Sequence, residues 1–125
     1  MQYLFRHVER NAVPVGAVPT AITWDDGRAE TLDGTWVGVI LLVVKEAIDR
    51  GLEPNELPMQ WGMDEFNNAA FVRGLYIRTK FQGHVAVGHM SKIAEALKRR
   101  GKLTGSIKLV IDCDGGPKAI ELPLR

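Results

Sequence analysis

The segment WVGVILLVVKEAID, residues 36–49, contains the strongest apolar run of the sequence. Its apolar side chains recur every three or four residues, which is the spacing of one face of an α-helix. They are Trp36, Ile40, Val43, Val44, Ala47 and Ile48. Val37, Leu41 and Leu42 widen this face until little polar surface remains. We therefore predict a central helix that packs on more than one side, with a buried strand as the competing assignment for its middle.

Both ends of this helix carry termination signals. Asp33 or Thr35 can cap the N-terminus, because a side-chain oxygen there accepts a hydrogen bond from an orphan amide. Gly51 follows Arg50, and glycine is typical of the position just past a helix C-terminus. The sequence thus predicts a helix that begins near Thr35 and ends before Gly51.

On the N-terminal side the sequence predicts short strands. Residues 3–8 are expected to form an edge strand, followed by a loop that extends to Pro19. Residues 21–24, with the sequence AITW, then meet the turn sequence DDG at 25–27. Residues 28–32 can return antiparallel, so this region is predicted to be a β-hairpin.

On the C-terminal side the first elements are weaker. Residues 53–63 contain two prolines and are interpreted as a connection, with a possible short strand at 59–61. Residues 64–73 are expected to begin as a helical turn capped by Asp64. Apolar and polar side chains alternate over residues 75–81, as they do in a half-buried strand.

The last elements complete the predicted fold. Ser91 is a natural cap for a second helix over residues 92–100. Two further strands, at 106–111 and 118–122, flank a longer loop at 112–117 and predict a terminal hairpin. The order of elements indicates an α+β fold with a largely antiparallel sheet and two helices packed against it, in a single domain covering residues 1–125.

Composition limits the class of protein. The chain of 125 residues is 46% hydrophobic and 25% charged, which argues against disordered and fibrous classes. The net charge of +1 does not by itself drive the chain onto nucleic acid or anionic lipid. Cys113 is the one cysteine, so no internal disulfide forms and a cytoplasmic location is expected. Residues 1–7 lack a signal-peptide pattern, and the run 37–44 is shorter than the roughly 20 residues of a membrane span.

The segment GHVAVGHMS, residues 83–91, has the glycine spacing with which a phosphate-binding loop begins. His89 and Met90 stand where that loop needs a lysine and a hydroxyl residue, so nucleotide hydrolysis is rejected. An anion site at the amides near Ser91 remains an open hypothesis. A plain loop is the favoured interpretation.

Other candidate chemistry has a plainer explanation. His84 and His89 are five residues apart, outside the helical spacing that directs two imidazoles at one metal. Asp112 and Asp114 flank Cys113 before a glycine-rich turn, where aspartate is common for structural reasons. No catalytic residue, metal or cofactor is therefore predicted. A small enzyme that uses either histidine with either aspartate is kept as a third hypothesis.

A basic cluster gives the leading functional hypothesis. It is predicted along the second helix and at its exit, and consists of Lys92, Lys98, Arg99, Arg100 and Lys102. Acidic residues concentrate elsewhere in the sequence, so a near-neutral chain can carry a dipolar surface. We expect a non-enzymatic protein that contacts nucleic acid or a nucleoprotein through these cations. Lysines at a helix C-terminus also interact favourably with the helix dipole, which is the alternative explanation.

A protein-interaction or homo-oligomeric module is the second hypothesis. It rests on the surplus apolar surface of the first helix and on a methionine-rich aromatic loop between prolines. The residues of this loop predicted to bind a partner are Met59, Trp61, Met63 and Phe66. Filling the local core is the competing role for these side chains.

Overall fold

Two helices and seven strands make up residues 13–124, the part of the chain that this computed structural model describes. In chain order they are β1 (Val18–Thr23), β2 (Ala29–Thr31), α1 (Trp36–Asp49), β3 (Trp61–Gly62), β4 (Ala69–Val72), β5 (Leu75–Arg78), α2 (Gly83–Arg99), β6 (Ile107–Cys113) and β7 (Gly116–Leu122), with a 3-10 turn at Pro54–Glu56 after α1. The strands form two antiparallel sheets, in the orders β2-β1-β6-β7 and β3-β5-β4. The predicted α+β class is confirmed.

Helix α1 begins where the sequence predicts. Thr35 is its N-cap, and the Thr35 hydroxyl accepts a hydrogen bond of 2.9 Å from the Gly38 amide. The carboxylate of Asp33 in turn accepts bonds from the Thr35 amide and hydroxyl, at 2.9 and 2.7 Å. Both predicted residues therefore contribute to the cap: Thr35 caps the helix, and Asp33 holds the Thr35 side chain in place. Gly51 follows the C-cap with a φ of 101°, a conformation that favours glycine.

Helix α1 lies between the two sheets. Five of its side chains are buried: Val39, Ile40, Val43, Val44 and Ala47. The helix packs on β1 of the four-stranded sheet, on β4 of the three-stranded sheet, and on α2. The prediction of a central helix packed on more than one side is confirmed, and the competing strand assignment is wrong.

The four-stranded sheet buries one face under the helices. Ile107, Leu109 and Ile111 alternate along β6 and are fully buried, and Ile22 of β1 lies opposite Leu109. The predicted terminal hairpin forms, but pairing continues to Cys113 and Gly116. Its connection is therefore a tight turn of two residues, because Asp-Gly is a preferred hairpin turn, and the prediction of a longer loop is wrong.

The second helix is longer than predicted. Helix α2 begins at Gly83, with Gln82 as its N-cap, so Ser91 lies within the helix and does not cap it. Ser91 is 1% exposed, and its hydroxyl accepts a hydrogen bond of 2.7 Å from the Leu124 amide. Because the amides near Ser91 belong to the interior of a helix, the hypothesis of an anion site there is wrong.

Residues 64–73 also differ from the prediction. They contain strand β4, which pairs with β5 from Ala69 opposite Arg78 to Val72 opposite Leu75. Arg73 and Gly74 turn the chain between the two strands, with φ values of 49° and 83°. A positive φ at both central residues is the geometry of a tight hairpin turn, which here overrides a weak local helix signal. Pro19 likewise lies within β1 and does not belong to a loop, whereas the strand predicted at residues 3–8 lies outside the described residues.

Replacing Thr35 with alanine should destabilise the fold by about 1 kcal/mol, because the first turn of α1 loses its cap. The measurement is urea unfolding followed by circular dichroism. Thr35→Ser is the matched control, since serine keeps the hydroxyl that caps Gly38. Equal stability of the alanine and serine variants would contradict a capping role.

Candidate functional site

The three-stranded sheet carries aromatic side chains on the face opposite α1. Leu75 and Ile77 of β5 are buried, so the alternation along the strand places Tyr76 on the other face. Phe71 of β4 lies opposite Tyr76, with the two ring centroids 4.9 Å apart. The side of Phe71 that does not meet Tyr76 faces solvent, and this residue is 62% exposed. A large aromatic surface therefore lies outside the core.

The segment around β3 extends this aromatic surface. Gly62 lies opposite Tyr76, and the Phe66 ring packs over Gly62 on the face that carries Tyr76. Met63, which follows Gly62, is 70% exposed. Trp61 is 38% exposed at the edge of the sheet, but it lies opposite Ile77 and therefore points toward the inner face. We name four of these residues the small-sheet patch: Met63, Phe66, Phe71 and Tyr76.

The predicted partner-binding residues separate into two groups. Met59 is 5% exposed and belongs to the core, so it offers no surface to a partner. Trp61 lies on the inner side of the small sheet, opposite Ile77, so only Met63 and Phe66 are part of the small-sheet patch. Sequence reasoning missed Phe71, because the segment that holds it was assigned to a helical turn. The alternation of residues 75–81 did contain a signal for an outward-facing Tyr76.

The predicted basic cluster is only partly available to a ligand. Arg100 donates a hydrogen bond of 2.8 Å to Glu56, which holds the pKa of this carboxyl below its usual range. Lys98, Arg99 and Lys102 are exposed and form no ion pair among residues 13–124. Lys92 lies seven residues before Arg99, so both face the same side of α2. Three exposed cations thus remain at the C-terminal end of α2.

Neither candidate histidine, His84 or His89, forms a hydrogen bond or ion pair with a nucleophile or a carboxylate in the described part of the chain. His89 packs against Phe81, with ring centroids 4.5 Å apart, and the Arg78 guanidinium lies over the Phe81 ring. Burial lowers the pKa of His89, and the charges of Lys92 and Arg78 lower it further. His84 lines an open cleft of about 570 Å³ and is the one titratable group among its described lining residues.

The acidic candidates likewise do not assemble into a site. Asp112 lies on β6, and Asp114 lies in the turn that follows it. Within the described part of the chain, no hydrogen bond joins either aspartate to either histidine. The same residues contain no group of three or more histidine, cysteine or acidic side chains arranged to hold a metal ion.

The turn at Asp25 holds together three distant parts of the chain. One oxygen of Asp25 accepts a bond of 2.8 Å from Arg50, just after α1. The other accepts a bond of 2.9 Å from the Thr104 amide, between α2 and β6. The bond from Arg50 is the main cause that lowers the pKa of Asp25 to about 2, against the opposing effect of burial. This geometry supports the structural interpretation of the DDG turn.

Arg50 is the central group of this network. Its guanidinium also donates bonds of 2.9 Å to Glu46 and to the Lys102 carbonyl. It lies 5.8 Å from the ring centroid of Trp24, and Arg28 lies 5.9 Å from the same centroid. Trp24 is 3% exposed, so each cation approaches a ring that water scarcely reaches. Each of the three side-chain nitrogens of Arg50 donates to a protein partner, so we interpret this network as structural.

Comparison of the chain with protein-family models, with curated proteins and with solved structures finds no match. Within residues 13–124, neither helix has the length and apolarity that crossing a membrane requires.

Replacing Asp25 with asparagine should destabilise the protein at pH 7 by on the order of 1–2 kcal/mol, because the Arg50 pair is lost. The folded-state pKa of Asp25 lies near 2, below the ordinary 3.8. The stabilisation that the Asp25 carboxylate contributes is therefore complete above pH 4–5, about one unit above its ordinary pKa. It is lost as the pH falls toward 2.

Urea unfolding between pH 7 and pH 2 tests this pH dependence. Stability should decline less steeply with acid in Asp25→Asn than in the original protein. Asp26→Asn is the matched control, since Asp26 pairs with Arg28 on the exposed side of the same turn. Parallel acid profiles for the original protein and the Asp25 variant would exclude this role.

Proposed function

We propose that this chain is a non-enzymatic protein-interaction module whose contact surface is the small-sheet patch. The observation that carries the proposal is Phe71, an aromatic residue 62% exposed beside Tyr76, with the exposed Met63 in the segment that follows β3 of the same sheet. Clustered exposed apolar side chains are uncommon on proteins that remain alone. Aromatic residues and methionine are also the types enriched in protein interfaces.

Core packing does not account for these exposed side chains. The inner face of the three-stranded sheet already supplies Leu75 and Ile77 to the core. Phe71 and Met63 expose most of their surface, so they contribute little buried apolar area to the stability of the fold. Their burial against a partner would supply binding energy instead. Cys113 is unpaired, and a reducing cytoplasm is the compartment we propose.

A photo-crosslinking amino acid at position 71 tests this function in cells that produce the protein. We expect a defined crosslinked species from positions 63 and 71, and none from Val37, which is exposed on α1. The partner, once purified, should bind Phe71→Ala at least about tenfold more weakly than the original protein. Val37→Ala should bind normally. Equal binding by both variants would remove the small-sheet patch from consideration.

Nucleic-acid contact is the second candidate function. It is favoured by Lys98, Arg99 and Lys102, which are exposed and without an ion pair in the described part of the chain. Cations close together on one helix end can neutralise successive phosphates and release counterions. Arg100 is left out of this set because it pairs with Glu56.

Charge reversal with a matched control tests the second candidate. The triple variant K98E/R99E/K102E should lose binding to labelled single- and double-stranded oligonucleotides, and binding by the original protein should weaken steeply between about 50 and 200 mM salt. The control triple K45E/K80E/K108E changes the net charge equally at exposed positions elsewhere. If both triples bind alike, or if salt has no effect, this candidate fails.

A further inference from the structure

Strand β4 is the edge strand that lacks protection against pairing. Edge strands expose unpaired backbone groups, and proteins shield them by shortness, proline or charge. Among residues 13–124, β2 has three residues, β3 has two, and β7 carries Pro117 and Lys118. Strand β4 has the sequence AAFV, without proline or charge, and lies at the edge of its sheet.

The pairing of β4 with β5 determines which backbone groups are free. The Thr79 amide donates to the Asn68 carbonyl, and Val72 pairs with Leu75 beside the two-residue turn. In an antiparallel ladder the bonded residues alternate, so Ala69 and Phe71 direct their amides and carbonyls away from β5. No hydrogen bond within the described residues occupies these groups.

We propose that a second copy of this chain pairs antiparallel with β4 about a two-fold axis through Ala70. In this register Ala69 of each copy faces Phe71 of the other, and each such pair exchanges two N–H···O bonds. All the free groups of Ala69 and Phe71 are then used. A register centred on Phe71 would instead place Ala69 opposite Arg73, which has turn geometry and cannot continue the ladder.

The side chains are complementary in this register. Phe71 would lie beside Ala69 of the second copy, and alanine leaves room for the ring. Arg78 lies opposite Ala69 within each copy and on the same face. The Arg78 guanidinium lies 5.9 Å from the Phe81 ring centroid of its own chain, so the contact between the copies rests on the backbone bonds and on the packing of Phe71 beside Ala69. Two equivalent Phe71–Ala69 contacts form about the axis, and each covers one side of a Phe71 ring.

This inference rests on the proposed function, because it names a partner for Phe71, the patch residue that lies on the β4 edge. A disulfide tests the register. In a Cys113→Ser background, Ala70→Cys should crosslink two chains on mild oxidation, because residues facing each other across the axis have Cα atoms about 4.5 Å apart. Ala69→Cys is the matched control and should crosslink poorly, since its counterpart lies two residues away along the ladder.

Sedimentation of the full chain over a range of concentrations provides the second measurement. The original protein and Val37→Ala should show a monomer–dimer equilibrium, and Phe71→Ala should weaken it at least about tenfold. A monomer at every concentration, with position 71 crosslinking to a different protein, overturns this inference and leaves the proposed function in place. A monomer with no crosslinked species overturns both. Equal crosslinking of the two cysteine variants overturns the register and with it the proposal.

Discussion

Helix α1 has to be covered on nearly all sides, and this requirement organises the rest of the molecule. Only Val37, Lys45 and Asp49 among its fourteen residues are exposed. One sheet cannot cover such a helix, because a sheet contacts only the stripe that faces it. The four-stranded sheet, the three-stranded sheet and α2 share this task. The inner face of the small sheet is thereby committed to the core, and its outer face is left for other contacts.

Ion pairs centred on Arg50 connect separate parts of the chain at the C-terminal end of α1. The Arg50 side chain forms ion pairs with Asp25, in the turn of the first hairpin, and with Glu46, in α1. The same residue bonds to the Lys102 carbonyl, so the exit of α2 is fixed beside the exit of α1. Several charged residues that could bind a ligand, judged from the sequence alone, are therefore paired with one another and stabilise the fold. The cations left over lie at the end of α2, and the apolar surface left over lies on the small sheet.

Local sequence patterns made the presence of the two helices and of the β1–β2 and β6–β7 hairpins predictable. The cap at Thr35, the central position of α1 and the first hairpin follow from local chemistry that tertiary packing did not override. The start of α2 was missed because glycines at 83 and 88 suggested a loop, although buried apolar residues continue the helical spacing through that region. Strand β4 was missed because Arg73 adopts a positive φ without a sequence signal for it. That error concealed Phe71, which only the pairing with β5 brings beside Tyr76.

The order of strands in the larger sheet has a consequence for biosynthesis. Strand β1 pairs on one side with β2, a few residues later, and on the other side with β6, which begins at Ile107. A ribosome releases the chain from its N-terminus, so β1 emerges well before β6 has been made. During that interval the nascent chain presents an open strand edge at the centre of its future sheet. The larger sheet can therefore be completed only after the ribosome has synthesised residues 107–113.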